Sequence, residues 1–426
     1  MFAAFRLWQG TLPPALIWQD SKDYEAIGSQ SLGSSGFWFG GRPPLIPLFW
    51  KIMGSPQAFV AGQTVLSVAA WGYLAWTVGT MFPVGWRRSV SAVTVLAIGT
   101  VTPIALWDRS VLSESLAMSG LALLFALAIR LAQRPTVPRA AAFVGAAFFC
   151  ALARDTEIVL PAILGVSILV FAFVRRRSGS KFKMLLATAC ALLLAAGFCV
   201  ATVVESGRDA LNVTDNLYVR VFPYPARVAW FASHGMPEQK QIDQLADTQP
   251  PPASGTAKAV FPNLHASEFA RLDAWINGHG ASTYALWMIT HPWFVVLEPL
   301  RRPERTFNDG DGNIDSYAAL NRVTSGLTPV LWPSWVWLEG VVAVTLVVVF
   351  GRELRPHRAV QVIMALGLLG VAAMLVAWNG DGQEATRHTI EGLAEIHLAV
   401  LIMFLYAVLA PRDPGRAELR SHSGAV

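Results

Sequence analysis

Charge is what this sequence lacks most. Asp, Glu, Lys and Arg make up 14% of its 426 residues, where a soluble chain carries roughly 25%. With 54% hydrophobic residues and a mean hydropathy of +0.45, the chain is neither disordered nor built like an ordinary soluble catalyst. Cysteine is scarce too. Cys150, Cys190 and Cys199 all fall inside apolar stretches, so neither a disulfide framework nor a thiolate metal site is encoded. A phosphate-binding loop, H-E-x-x-H, G-x-S-x-G and any Cys/His cluster are missing as well, which removes the common nucleotide, zinc and serine-hydrolase chemistries. The net charge of +5 reflects arginines in short loops between apolar runs and not a nucleic-acid surface.

What is present is a series of long apolar runs. A membrane helix needs about 20 such residues, and runs fall at about 57–82, 90–107, 111–131, 139–153, 156–174, 184–204, 331–350, 359–378 and 390–410. The expected fold is an all-α integral membrane protein with about nine or ten transmembrane helices and a large extracytoplasmic loop. Arg87 and Arg88, Arg134 and Arg139, Arg175 to Lys183, Arg352 to Arg358, and Arg412 to Arg420 follow alternate runs with little compensating acid. By the positive-inside rule those loops face the cytoplasm. The chain then divides into an N-terminal segment with the first outer loop (1–56), a helical bundle (57–204), an extracytoplasmic loop (205–330), C-terminal spans (331–410) and a cytoplasmic tail (411–426). Within the loop, 281–300 is apolar enough to mimic a span; crossing there would invert the 352–358 loop, so a re-entrant or interfacial helix is expected. Residues 1–18 contain Arg6 and two prolines and are too short to span. Either they lie on the membrane surface or a first helix precedes Met1. Tryptophans near the run ends (Trp71, Trp76, Trp86, Trp107, Trp332, Trp335, Trp337, Trp378) read as interfacial anchors.

The outer connections carry mixed charge where the positive-inside rule would omit arginine: Asp20, Lys22, Asp23 and Glu25; Asp108, Arg109 and Glu114; Arg154, Asp155 and Glu157; Asp381, Glu384, Arg387 and His388. Charges near a bilayer are costly and usually line a cavity or pair with one another. Bundled helices would gather these ends around one outer pocket, suited to a ligand bearing phosphate and hydroxyl groups. Asp20 at a helix end could deprotonate a hydroxyl. Tyr24, four residues on, shares its side of a helix, and Arg42 before two prolines sits in a stiff segment. Arg387, Glu391 and Glu395 lie at helical spacing on one face, either as a cavity wall or as an i,i+4 ion pair. Asn308 to Asp315 imitates a calcium loop but has Ile314 and Leu320 where Gly and Glu are required.

The order of these elements resembles the GT-C glycosyltransferases, multi-spanning enzymes that take a sugar from a polyprenyl-phosphate donor at the outer membrane face. The resemblance rests on D-S-x-x-Y at Asp20 to Tyr24 followed by R-P-P-L-x-P-L from Arg42, on Leu112 to Leu116 around Glu114, on Ala153 to Thr156, and on Gly380 to His388 with its E-x-x-R-H. It covers the membrane part, roughly 18–204 and 331–410. It implies Asp20 as general base with Asp23 as second candidate; Arg387, Arg42, Arg154 and His388 at the donor phosphate; Asp108 or Glu114, with Tyr24, orienting the acceptor or a metal; and Glu384 and Glu391 on the cavity wall. The implied partners are a polyprenyl-phosphate sugar, a glycan, glycolipid or protein acceptor, and membrane lipids, at the cell (plasma or inner) membrane with the site on the extracytoplasmic side. No organic cofactor is implied; a divalent cation stays open. Two other classes compete with this reading: a transporter or flippase of lipid-linked or small anionic substrates, and a non-catalytic scaffold of an envelope-synthesis complex.

Overall fold

A computed structural model describes residues 1–11, 15–174, 179–237, 270–301, 328–332, 342, 345, 358–380 and 385–409. All but 342 and 345 of the expected span at 331–350 beyond Trp332, the 352–357 loop, the 411–426 tail, the Asn308–Asp315 stretch and Glu384 lie outside them. In hydrocarbon a backbone must satisfy its own hydrogen bonds, so apolar runs become helices. Among the described residues there is no β-strand, only an isolated parallel bridge between Leu16 and Ser110. The N-terminal helices are α1 (Phe2–Thr11), α2 (Gln19–Gly28), α3 (Ser35–Trp38) and α4 (Leu45–Met53). The bundle follows with α5 (Pro56–Gly79), α6 (Trp86–Ile98), α7 (Thr102–Ala105), α8 (Glu114–Gln133), α9 (Val137–Ala153), α10 (Val159–Val174) and α11 (Ser180–Glu205). Later helices include Arg358–Gly380 and the last one, Ala385–Leu409.

Among the described residues, six segments are long and apolar enough to cross a membrane: Pro56–Gly79, Glu114–Gln133, Asp155–Val174, Ser180–Glu205, Arg358–Gly380 and Arg387–Leu409. Two expected spans come out differently. The 90–107 run is not one straight helix: α6 stops at Ile98, and Thr102–Arg109 sets off at 61°. Pro103 in the first turn of the second piece cannot donate a backbone hydrogen bond, which favours a break just before it. The 139–153 run forms the 17-residue α9, about 25 Å long, short of a core about 30 Å thick. Residues 281–300 form two ten-residue helices interrupted at His291, each too short to span.

Packing follows the small residues. The Arg358–Gly380 helix and the last helix meet where a Cβ on Gly370 would come 2.8 Å from the Gly392 carbonyl, and one on Gly392 would come 2.6 Å from the Gly370 carbonyl. Only glycine permits that approach, the kind of contact that replaces hydrophobic driving force between membrane helices. Of the six long segments, the one in α8 is the most buried. By contrast α10 leaves Val166, Val170, Phe171 and Phe173 exposed, an apolar surface suited to lipid. Trp71, Trp107 and Trp378 do not act as interfacial anchors: each is about 2% exposed or less and belongs to the interior, because their helix ends are covered by neighbouring elements. Trp332 is buried as well, stacked on His397 at 4.3 Å. Trp76 and Trp86 stay exposed.

The N-terminal segment is stitched in by one side chain. Arg6 on α1 is fully buried. It donates to Asp108 Oδ2 from Nε at 3.1 Å and Nη2 at 2.5 Å, to Ser67 Oγ on α5 at 2.6 Å, and to the Gly99 carbonyl at the α6 break. Ser115 Oγ on α8 donates to the other Asp108 oxygen at 2.6 Å. Removing one partner of a buried pair strands the other charge, a loss of about 3–5 kcal/mol. Arg6→Ala should therefore lower the thermal midpoint in detergent sharply, and the double replacement Arg6→Met with Asp108→Asn should recover most of it. A double variant no more stable than Arg6→Ala would show that Asp108 is not what Arg6 compensates.

Candidate functional site: a guanidinium–carboxylate ladder

The loop before α8 is held by backbone and amide bonds that bring α2 beside it. Leu16 N donates to the Arg109 carbonyl (2.9 Å) and Val111 N to the Leu16 carbonyl (3.0 Å). Ser21 Oγ accepts from Trp18 N at 2.9 Å and donates to the Val111 carbonyl at 2.8 Å. Gln63 on α5 donates to the carbonyls of Asp108 (2.7 Å) and Ser110 (2.8 Å). With both strands of this junction pinned, Asp20 in the first turn of α2 and Glu114, the first residue of α8, face a common space.

Arginines and carboxylates alternate through that space. Arg42 donates to Asp23 Oδ2 (Nε 2.9 Å, Nη2 2.7 Å) and to Asp20 Oδ1 (2.8 Å). The other Asp20 oxygen accepts from Arg387 Nη2 at 2.9 Å. Arg387 Nε donates to Glu114 Oε1, and the same oxygen lies 3.2 Å from Arg154 Nη1. Arg154 also donates to Glu391 Oε1 and to His388 Nδ1. The ladder runs Asp23–Arg42–Asp20–Arg387–Glu114–Arg154–Glu391. Each charge is desolvated only alongside an opposite one, as burial requires. Glu114 gains in addition from the positive end of α8.

Local structure explains how each side chain arrives. Arg42 sits just before Pro43 and Pro44, and Pro44 caps α4, so its backbone is stiff. Arg154 caps the C-terminal end of α9 in an extended conformation (φ −147, ψ 141), which turns the chain across the helix end. Arg387, His388 and Glu391 occupy the first turns of the last helix; the Glu391 oxygen bonded here is taken by Arg154, across the bundle.

Exposure falls from one end of the ladder to the other: Asp23 is 49% exposed, Arg42 27%, Asp20 20%, Arg387 8%, Glu114 0%, Arg154 4% and Glu391 0%. The mouth is therefore Asp23, Arg42 and Asp20, and the floor is Glu114 with Arg154. An anion entering from the mouth meets Arg42 first and reaches Arg387 only by displacing Asp20. Guanidinium binds carboxylate and phosphate with the same planar fork, so such an exchange is chemically even. Beneath the floor lie Glu157 and Glu395, both about 1% exposed. Among the described residues neither Glu395 oxygen has a hydrogen-bond partner, and Glu395 packs against Gly370.

The structure brings together Asp20, Asp23, Tyr24, Arg42, Glu114, Arg154, Arg387, His388 and Glu391. It does not bring Asp108 into the ladder: that carboxylate is occupied by Arg6 and Ser115. Glu384 is outside the described residues. Sequence reasoning missed Arg208, which forks onto Asp155 (2.9 and 3.0 Å) and reaches the Gly40 carbonyl at 2.8 Å, tying the first loop to the start of α10. Its only signal was an arginine following a long apolar run. Among the described residues no three His, Cys, Asp or Glu side chains are grouped to hold a metal ion. No protein-family model matches the chain, and no curated protein matches it either.

Tyr24 is 2% exposed beside this cluster. Burial, then the negative charges of Asp20 and Glu114, push its phenol well above its ordinary range, with Arg387 and Arg42 offsetting only part. Tyr24 therefore keeps its proton when folded and loses it near pH 10 when unfolded. Linkage then makes stability independent of this group below pH 10 and makes it fall as pH rises above 10. Unfolding of the wild type from pH 9 to 11 should show that alkaline loss, and Tyr24→Phe should flatten it. Parallel profiles for the two proteins would remove Tyr24 as the cause.

Proposed function

We propose that the chain is a membrane glycosyltransferase of GT-C type, with nine or ten spans, that moves a monosaccharide from a polyprenyl-phosphate donor to a cell-envelope glycan, glycolipid or protein at the outer membrane face. The observation that carries this reading is Asp20 held between Arg42 and Arg387 at the half-exposed mouth of the ladder. A donor phosphate takes the two guanidiniums in place of the carboxylate, and Asp20, released, becomes a base positioned next to the bound phosphate. An acceptor hydroxyl gives its proton to Asp20 while its oxygen attacks the anomeric carbon; the carbon–oxygen bond to phosphate breaks, and the departing polyprenyl phosphate carries its charge against Arg387 and Arg42. Tyr24, kept protonated, donates a hydrogen bond within the same space. The motifs of the first loop and the last helix, met in family order, support the same assignment.

One observation favours a second reading. Glu395 lies eight residues into the last span beyond Arg387, about 12 Å along the helix, with both carboxylate oxygens buried and without hydrogen-bond partners among the described residues. Ionisable groups within spans often mark ion, proton or substrate pathways, which suits a transporter of lipid-linked or small anionic substrates.

Sugar transfer by purified, detergent-solubilised protein separates the two. Radiolabelled polyprenyl-phosphate monosaccharides are offered with a crude envelope acceptor, and Asp20→Asn is compared with wild type. The expected result is transfer by wild type and a loss of at least about 100-fold in the variant, with Arg387→Lys also strongly impaired because a point charge cannot replace the fork. Transfer untouched by Asp20→Asn moves the base to Asp23. Absence of transfer with every donor, in protein shown to be folded, shifts the assignment to the transporter.

A further inference from the structure

The opposite end of the bundle has the reverse electrostatic character. The C-terminal ends of α5 and α8 and the N-terminal end of α9 enclose a cleft of about 410 Å³ lined by Thr80, Met81, Arg130, Gln133, Arg134 and Arg139. It is separated from the Glu114 floor by the length of α8, 20 residues or about 30 Å. Three of its six lining side chains are arginines, and none is acidic. Between residues 26 and 204 the only carboxylates are Asp108, Glu114, Asp155 and Glu157, all at the ladder end of the helices that carry them.

Part of this charge has a structural task. Arg139 Nη1 donates to the carbonyls of Arg130 (3.2 Å) and Arg134 (2.9 Å), neutralising the negative end of α8. Arg130 stacks on exposed Trp76 at 4.7 Å, a side chain suited to a lipid–water boundary. Neither contact places a negative charge against a guanidinium. Arg134 is exposed and half-encloses the cleft. The first turn of α9, whose Thr136 makes no side-chain cap, adds the positive end of a 17-residue helix to the same space. Cationic walls, a helix N-terminus, a concave shape and a headgroup-level position converge on one ligand chemistry.

We propose that the Arg130–Arg134–Arg139 cleft is a phosphate-binding site, taking the headgroup of an anionic phospholipid or a free phosphate. Basic pockets between membrane helices bind anionic headgroups in this way, and the guanidinium fork supplies paired donors to phosphate oxygens. The site is independent of the ladder and of whatever reaction occurs there.

Native mass spectrometry of the purified full chain tests it, with phosphatidylglycerol, phosphatidylcholine and inorganic phosphate as probes. Because Arg139 also caps α8, the informative variants are Arg134→Gln and Arg130→Gln, with Lys183→Gln as a charge-matched control outside the cleft. Wild type should retain phosphatidylglycerol over phosphatidylcholine, each cleft variant should weaken that retention about fivefold, and Lys183→Gln should not. Retention that survives millimolar inorganic phosphate identifies a lipid headgroup; retention abolished by it, with phosphate itself bound, identifies a free phosphate. Either outcome upholds the site. Equal retention of both lipids with no phosphate bound, or folded Arg134→Gln and Arg130→Gln proteins that behave as wild type, overturns it.

Discussion

A charge at the edge of a hydrocarbon layer has to bring its opposite with it, and the Glu114 carboxylate is where this chain meets that requirement most severely. It is fully buried, it opens the most buried of the long helices, and a single oxygen serves Arg387 from the last helix and Arg154 from the end of α9. Two guanidiniums on distant segments are thereby committed to one position. Each then takes a second carboxylate, Asp20 on one side and Glu391 on the other. The relative placement of α2, α8, α9 and the last helix at this end follows from that alternation as much as from apolar packing, because separating any two of them would strand a desolvated ion. Beneath it, the Gly370–Gly392 crossing sets the last helix against the Arg358–Gly380 helix at a distance that only glycine permits.

The two ends of the bundle solve the same electrostatic problem differently. Arginines occur at both, but the carboxylates of residues 26–204 are confined to one. At the ladder end, intramolecular pairs neutralise the guanidiniums and leave little free field. At the cleft end, the neutralisation among the described residues is a helix terminus and an aromatic face, each worth only a fraction of a full counter-charge. An unpaired arginine is stable there because it can reach water or headgroups, whereas Arg154, 4% exposed, has no such outlet.

Helix positions were legible from the sequence because transfer into hydrocarbon is decided residue by residue, and hydropathy sums it. Pairing was not, because it depends on which helix ends become neighbours. The mixed-charge connections at 20–25, 108–114, 154–157 and 387–388 could be seen to sit at helix ends, which is why most of the ladder residues were named. Asp108 shows where this stops: six residues from Glu114 and of the same charge, it turns instead toward Arg6, a residue whose own partner could not be read from a short apolar segment with two prolines. Arg208 was invisible for the same reason, its carboxylate lying 53 positions away. The bend at Gly99 was missed because a hydropathy window averages across a three-residue break. The buried Trp71, Trp107 and Trp378 were misassigned to the interface because nearness to a run's end does not say what covers it.

The gradient of exposure along the ladder constrains any chemistry done there. Filling an empty pocket would leave the protein's own ion pairs intact, but the mouth of this site is already occupied by them. A ligand anion gains Arg42 and Arg387 only as Asp20 yields them, so binding and the release of a carboxylate are one event. That coupling ties Asp20 to both guanidiniums at once, Arg42 on one oxygen and Arg387 on the other. Any anion bound at this mouth is therefore bound by exchange with the Asp20 carboxylate.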